Sequence, residues 1–351
     1  MTMHQSPPGS ICLLRLSALG DVCNCVAAVR ALQRRWPASR LTWIIGSTEH
    51  ALVDDLPDVE FIVFDKKNTR ASLASVRASL AGRRFDVLLL AQVALRANLL
   101  SLLVRARRRI GFDRARSREG HSLFVNERIP AEAGQHQALA LHSFAEILGA
   151  SVSVADRALP ISEPARRFAL SHQPRAHHAV LISPASSHPQ RNWHAAGYAA
   201  VADWIVGQAR RPVILIGGPS EEEKRLGEDI SARMSQPVTN LIGKDTLKQA
   251  LAMLERCACV VTPDAGPAHF AAALQRPVVG LYAATWSRRS GPLGSLDHCV
   301  DCFGAAAQQF LGKPPEQVRW GRRLERPGVM DLVTPDRVIA RLAGILDTTP
   351  D

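Results

Sequence analysis

The chain predicts an α/β protein built as two doubly wound domains. Three observations carry that expectation. Short, continuously apolar runs alternate with amphipathic stretches, which is the pattern of βαβ units around a parallel sheet. The alternation breaks over residues 157–178 and then starts again. At 351 residues the chain is long for one domain and comfortable for two.

In the first half, residues 11–16 (Ile-Cys-Leu-Leu-Arg-Leu) form a buried strand candidate. Residues 22–36 follow with helical spacing and stop before Pro37, which cannot continue a helix. Further strands are expected at 41–45, 61–64 and 87–90, with helices between them. The break at 157–178 carries Pro160, Pro164 and Pro174 among Arg and His, and it suggests a linker. After it, strands are expected at 179–183, 212–217, 238–242, 259–261 and 277–282. Helices are expected at 195–207, 247–257 and 335–346. The resulting division is 1–170 and 171–334, with the last helix, 335–351, a candidate to pack back on the first domain. Residues 1–10 suggest a short loose tail without the basic and apolar regions of a secretory signal.

Composition narrows the function classes. With 46% hydrophobic and 21% charged residues, the chain can bury two cores and is not a disordered polymer. No apolar run approaches the roughly 18 residues of a membrane span. Seven cysteines, an odd number, point to reduced thiols in the cytoplasm. Cys299-x-x-Cys302 has metal-like spacing, but no second pair completes a four-ligand zinc site, so no metal is expected. The net charge of +11 is uneven. Residues 1–170 hold 23 Lys+Arg against 15 Asp+Glu, and the remainder holds 20 against 17. The first half therefore faces an anionic partner: nucleic acid, acidic lipid or an acidic sugar. The densest cluster is Arg105, Arg107, Arg108 and Arg109, followed by Arg114, Arg116 and Arg118. For any single one of these, a solvated basic face is the better explanation. A specific nucleic-acid binder is not expected, because there is no helix-turn-helix, no interleaving of aromatic and basic residues, and only two Tyr.

Four strand-end turns carry the candidate chemistry. Thr262-Pro263-Asp264-Ala265-Gly266-Pro267-Ala268-His269 follows an apolar strand and opens a small-residue helix. A helix start offers free N–H groups and partial positive charge, a seat for phosphate. An ordinary turn with an Asp cap explains the same residues. Arg15-Leu-Ser17-Ala-Leu-Gly20-Asp21 lies where a dinucleotide-binding turn would, but without G-x-G-x-x-G. Asp21 suits a general base taking a proton from a hydroxyl, or a plain helix-start Asp. Ser186, Ser187 and Arg191, after one strand and before a helix, suit a diphosphate or a polar surface loop. Gly217-Gly218-Pro-Ser220-Glu221-Glu222-Glu223 offers Glu222 or a neighbour to ribose hydroxyls, or simply an acidic first helical turn.

Taken in order, these motifs resemble glycosyltransferase family 9, the ADP-heptose:lipopolysaccharide heptosyltransferases. The motifs are Arg15…Gly20-Asp21, Ser186-Ser187…Arg191-Asn-Trp193, Asp264-Ala-Gly-Pro-Ala-His269 and Thr285…Gly291-Pro-Leu-Gly294, and the match covers nearly the whole chain. The pattern is most similar to heptosyltransferase I, which adds the first L-glycero-D-manno-heptose to Kdo of lipid A. The resemblance implies a GT-B fold, with two Rossmann-like domains facing across a cleft, and an inverting transfer without metal or cofactor. It implies Asp21 as catalytic base. It implies donor contacts from Ser186, Ser187, Arg191, Glu222, Lys244, Thr246, Asp264, Ala265, Gly266 and His269, with Gly243-Lys244-Asp245-Thr246 beside the adenine. Arg191 stands where the family commonly has Lys, and Ala283-Ala284-Thr285 replaces Gly-Pro-Thr.

Acceptor contacts are expected from Ser17, Gly20, Arg105 and Arg108. The partners expected are ADP-heptose and a Kdo-lipid A acceptor, with a monomer held peripherally on the anionic cytoplasmic face of the inner membrane. Two other readings remain open: heptosyltransferase II or another core enzyme with the same donor, and a GT-B nucleotide-sugar epimerase that needs no acceptor.

Overall fold

A computed structural model describes residues 7–347. Most of the expected tail, residues 1–6, and the end of the last helix, residues 348–351, lie outside the described residues. The chain divides into two compact units, Met1–Pro160 and Ile161–Asp351.

The first unit runs β1 (Ser10–Leu14), α1 (Leu19–Arg35), β2 (Arg40–Gly46), α2 (Ser47–His50), β3 (Val59–Phe64), α3 (Thr69–Ser79), β4 (Phe85–Leu90), α4 (Leu95–Leu100), β5 (Ala106–Gly111), β6 (Glu127–Arg128) and α5 (Gln137–Glu146). Its strands are parallel in the order β3-β2-β1-β4-β5-β6. Apolar runs such as β1, buried at every position, are what a sheet covered on both faces requires.

The second unit runs α6 (Glu163–His172), β7 (Val180–Ile182), α7 (Ala195–Gly207), β8 (Val213–Leu215), α8 (Glu221–Arg233), β9 (Thr239–Asn240), α9 (Leu247–Arg256), β10 (Cys259–Pro263), α10 (Gly266–Ala273), β11 (Val278–Tyr282), α11 (Ser287–Ser290), β12 (Val300–Asp301), α12 (Phe303–Leu311) and α13 (Pro335–Leu346). Its sheet order, β12-β11-β10-β7-β8-β9, is the same winding again. In each unit the order reverses beside the first strand, between β1 and β4 and between β7 and β10. Such switch points open a crevice outside the strands' carboxyl ends.

Several expectations are corrected. The stretch 157–178 is not a plain linker: it contains α6, which packs on α9. Pro164 sits in the first turn of α6, where its missing N–H costs nothing, so it starts the helix instead of breaking it. The division therefore falls at 160, ten residues before the expected one. The helix expected to return to the first domain, α13, buries Val338, Leu342, Ile345 and Leu346 in the core of the second unit, against α7 and β11. The arginine cluster 105–109 is largely strand β5, whose polar residues hid it from a search for apolar runs.

Candidate active site

The expected residues fall into two groups, one at the switch point of each unit. In the first unit β1 delivers Arg15 into the crevice beside β4. Its Nη1 donates to the Ala91 carbonyl at 2.5 Å and its Nη2 pairs with Asp21 Oδ2. Arg15 is buried, while the Asp21 side chain is 27% exposed in the first turn of α1. α1 has no side-chain cap, so Asp21 is not a capping Asp. It is a carboxylate held on one oxygen by a buried cation and open to solvent. Leu16 N–H donates to Gln92 Oε1 at 2.7 Å, and Gln92 Nε2 donates to Ser17 Oγ at 3.3 Å, which ties the β1 and β4 turns together. Gly20 is buried within α1. Neither Arg15 nor Gln92 was singled out from sequence as a partner. Both act across the switch, which only the sheet order reveals.

The remaining acceptor candidates divide. Arg108 is engaged by Glu127 through two hydrogen bonds of 2.8 Å. Arg105 is exposed at the start of β5. Arg109 donates to the carbonyls of Phe124, Val104 and Ser101 at 2.8, 2.8 and 3.0 Å, so it braces backbone.

In the second unit, β7 and β10 end side by side. Arg191 follows β7, is only 8% exposed, and lies between two carboxylates. Its Nε and Nη2 donate to Glu325 Oε1 at 2.8 and 2.5 Å, and its Nη1 stands 3.9 Å from Asp264 Oδ2. Ser290 Oγ donates to the same Asp264 oxygen at 3.4 Å. Burial pushes the Glu325 carboxyl up, but the Arg191 hydrogen bonds and charge, with His188 and Arg323, outweigh it and leave it below the usual range.

Sequence reasoning missed Glu325. It is 134 positions from Arg191, in a segment without periodicity, and no local signal could have found it.

Asp264 precedes α10 and does not cap it: the N-cap position is Ala265, with no side-chain cap. The bland alternative for this turn is thereby removed. The first turn of α10, opening at Gly266, keeps its dipole free for an anion beside Arg191. His269 is half-buried one turn in. Ser186 is engaged within its own loop: its Oγ lies 3.0 Å from the His188 carbonyl and 2.9 Å from Asn192 Oδ1, two acceptors that share its one proton, while Ser187 is exposed.

Around β8 and β9, Glu223, not Glu222, folds back as a cap partner. Its Oε2 accepts from Gly218 N–H at 2.6 Å, and Glu222 is left exposed in the first turn of α8. Thr246 caps α9 in a capping box with Gln249. Lys244 Nζ donates to the Asn240 carbonyl at 2.8 Å. Between them Asp245 keeps one buried oxygen without a partner, and burial pushes its carboxyl up to about 6.

Cys299 and Cys302 are buried free thiols, and Cys302 Sγ accepts from Arg337 at 3.1 Å.

Known proteins share both the sequence family and the fold. The profile of glycosyltransferase family 9 (heptosyltransferase) matches residues 73–313. A lipopolysaccharide core heptosyltransferase, OpsX of Haemophilus influenzae, is 36% identical, with 97% of this chain and 98% of that protein covered. Among solved structures, a family 9 glycosyltransferase from Veillonella parvula superposes with a TM-score of 0.79 at 20% identity, covering 98% and 99% of the two chains. E. coli ADP-heptose heptosyltransferase II does so with 0.70 at 20% identity, covering 96% and 98%. The two Rossmann-like units are those of a GT-B enzyme. By the profile match and by the relative aligned over nearly its full length, the chain belongs to glycosyltransferase family 9, the heptosyltransferases.

Proposed function

We propose that the chain transfers L-glycero-D-manno-heptose from ADP-heptose to Kdo of lipid A, inverting the anomeric centre. The observation that carries this reading is the anion seat of the second unit: a nearly buried Arg191 beside an uncapped helix start. A departing ADP needs its diphosphate charge met as the glycosidic bond breaks. A fixed guanidinium and helix N–H groups supply that without a metal or other cofactor. Asp264, next to Arg191, is suited to hold donor hydroxyls. Asp21 takes the proton of the acceptor hydroxyl, whose oxygen attacks the anomeric carbon from the face opposite ADP. Arg15 holds one oxygen of the Asp21 carboxylate and so orients it for that proton transfer. Heptose transfer in the lipopolysaccharide core is supported by the relative aligned over 98% of its length, a lipopolysaccharide core heptosyltransferase.

The positive first unit suits an acceptor bearing carboxylates and phosphates, met by a monomer on the cytoplasmic face of the inner membrane. No helix among the described residues is long and apolar enough to cross a membrane.

The test is ADP release from ADP-heptose with Kdo-lipid A or heptosyl-Kdo-lipid A as acceptor. Turnover with the first alone is expected. Preference for the second would make the chain a later core enzyme, and release without any acceptor would favour an epimerase. Asp21→Asn is expected to cut turnover by about 10²–10⁴-fold while ADP binding is kept. Turnover at the wild-type level would remove Asp21 as the base.

A further inference from the structure

The helix α4 and the turn that follows it present an apolar stripe to solvent. Leu95, Leu99 and Leu102 are 49%, 52% and 63% exposed. Their spacing of four and three puts them on one helical face. The opposite face, Ala97, Asn98 and Leu100, is buried. Asn98 anchors the neighbouring turn: Nδ2 donates to the Glu119 carbonyl at 3.0 Å, and Oδ1 meets His121 Nδ1 at 2.9 Å. Leu95 N–H donates to Glu119 Oε2 at 2.5 Å. That anchored turn carries Leu123, which is 86% exposed.

Scattered exposed leucines need no explanation, but three on one helical face, with a fourth on the turn fastened to that helix, are not scattered. Its surroundings are strongly basic. Residues 94–123 hold eight Arg against Asp113 and Glu119. Arg108, Arg109 and Arg116 are used internally, by Glu127, by backbone carbonyls and by Asp113. Arg96, Arg105, Arg107, Arg114 and Arg118 are exposed.

We propose that this leucine patch, with its exposed arginines, is the surface by which the protein docks on an anionic lipid bilayer. Leucines enter the boundary between headgroups and acyl chains while guanidinium groups meet lipid phosphates. A protein partner with an apolar groove would not call for so many unpaired like charges, whereas an anionic bilayer does. The proposal rests on the membrane association put forward above and identifies where it occurs.

The test is co-sedimentation of the full chain with vesicles of phosphatidylethanolamine mixed with phosphatidylglycerol, and with neutral phosphatidylcholine vesicles. Wild type is expected to bind the anionic vesicles, and more weakly as salt is raised. Leu99→Glu/Leu102→Glu is expected to lower that binding by about tenfold or more, since two apolar anchors become charges. Arg107→Ser/Arg114→Ser is expected to lower it by about five- to tenfold per arginine, from a surface attraction of order 1 kcal/mol for each. Leu170→Glu, on an exposed position of α6, serves as the control that leaves it unchanged. ADP binding checks that each variant is folded. If wild type ignores anionic vesicles, both the membrane reading and this surface fail. If wild type binds and the Leu99/Leu102 variant binds equally well, membrane association stands and this surface is overturned. Sedimentation velocity reads the remaining alternative. A wild-type dimer broken by the same substitutions, without vesicle binding, would assign the patch to a second copy and overturn the proposal.

Discussion

Acidification should loosen the first unit through His121, and the structure sets the size of the effect. His121 is fully buried in the turn fastened to α4. Phe112 N–H donates to its Nε2 at 3.0 Å, so Nδ1 carries the hydrogen and donates to Asn98 Oδ1 at 2.9 Å. A second proton would remove the acceptor that Phe112 needs. Burial first, then the nearby Arg128, pushes this imidazole down from 6.5 to about 4. A group whose folded value is depressed contributes stability that is full above the unfolded value and is lost as pH falls through the folded one. The window is therefore from 6.5 down to about 4, and the full effect is about 3 kcal/mol. At about pH 5, roughly 2 kcal/mol of it is already gone. His142, also buried and pushed down to about 4, adds a similar amount.

The assay is urea unfolding of the full chain at about pH 7.5 and about pH 5, compared between wild type and His121→Gln. Glutamine can still donate to Asn98 and accept from Phe112 but does not titrate. It should remove about half of the acid-induced loss. Titration of the His121 ring by NMR gives the direct reading. A His121 that protonates near 6.5, or a His121→Gln variant with unaltered acid sensitivity, would refute the reasoning.

Three other outcomes follow from named contacts. Arg191→Ala removes the cation of the anion seat and should weaken ADP binding by about 10–100-fold, from charged hydrogen bonds of roughly 1.5–3 kcal/mol. Titration calorimetry with ADP reads this, and an unchanged affinity would exclude Arg191 from the seat. Gly197→Ala would drive a methyl into the ring of the buried Trp193, and the overpacking should lower stability by about 1–3 kcal/mol in urea unfolding. Thr246→Ala breaks the capping box of α9 and should cost about 1 kcal/mol, visible as a lower thermal midpoint.

Much of the site was legible without coordinates because its parts are local. Apolar runs ending in Ser, Gly, Asp or Pro turns marked the strand ends, and the structure places Asp21, Arg191 and Asp264 in the connections that follow β1, β7 and β10. Other candidates already have local partners. Ser186 Oγ bonds Asn192 Oδ1, and the Thr246 hydroxyl accepts from Gln249 N–H as the cap of α9. Arg108 and Arg109 belong to a cationic run whose members alternate across β5, so adjacent residues find different partners.

Read alone, the order of residues was enough for two wound α/β halves, the turns that bear chemistry and the basic bias of the first half. Those properties live in spacing and composition, which a window of a few residues expresses. Tertiary structure decided the partners of the buried charges: Arg15 across the switch to Ala91, Arg191 to Glu325, His121 to Asn98 and Phe112. It also decided that α13 closes the core of the second unit and that Leu95 and Leu99 of α4 stay exposed. A desolvated ion or imidazole must find a partner wherever the fold supplies one. That partner can lie more than a hundred residues away, beyond the reach of any sequence pattern.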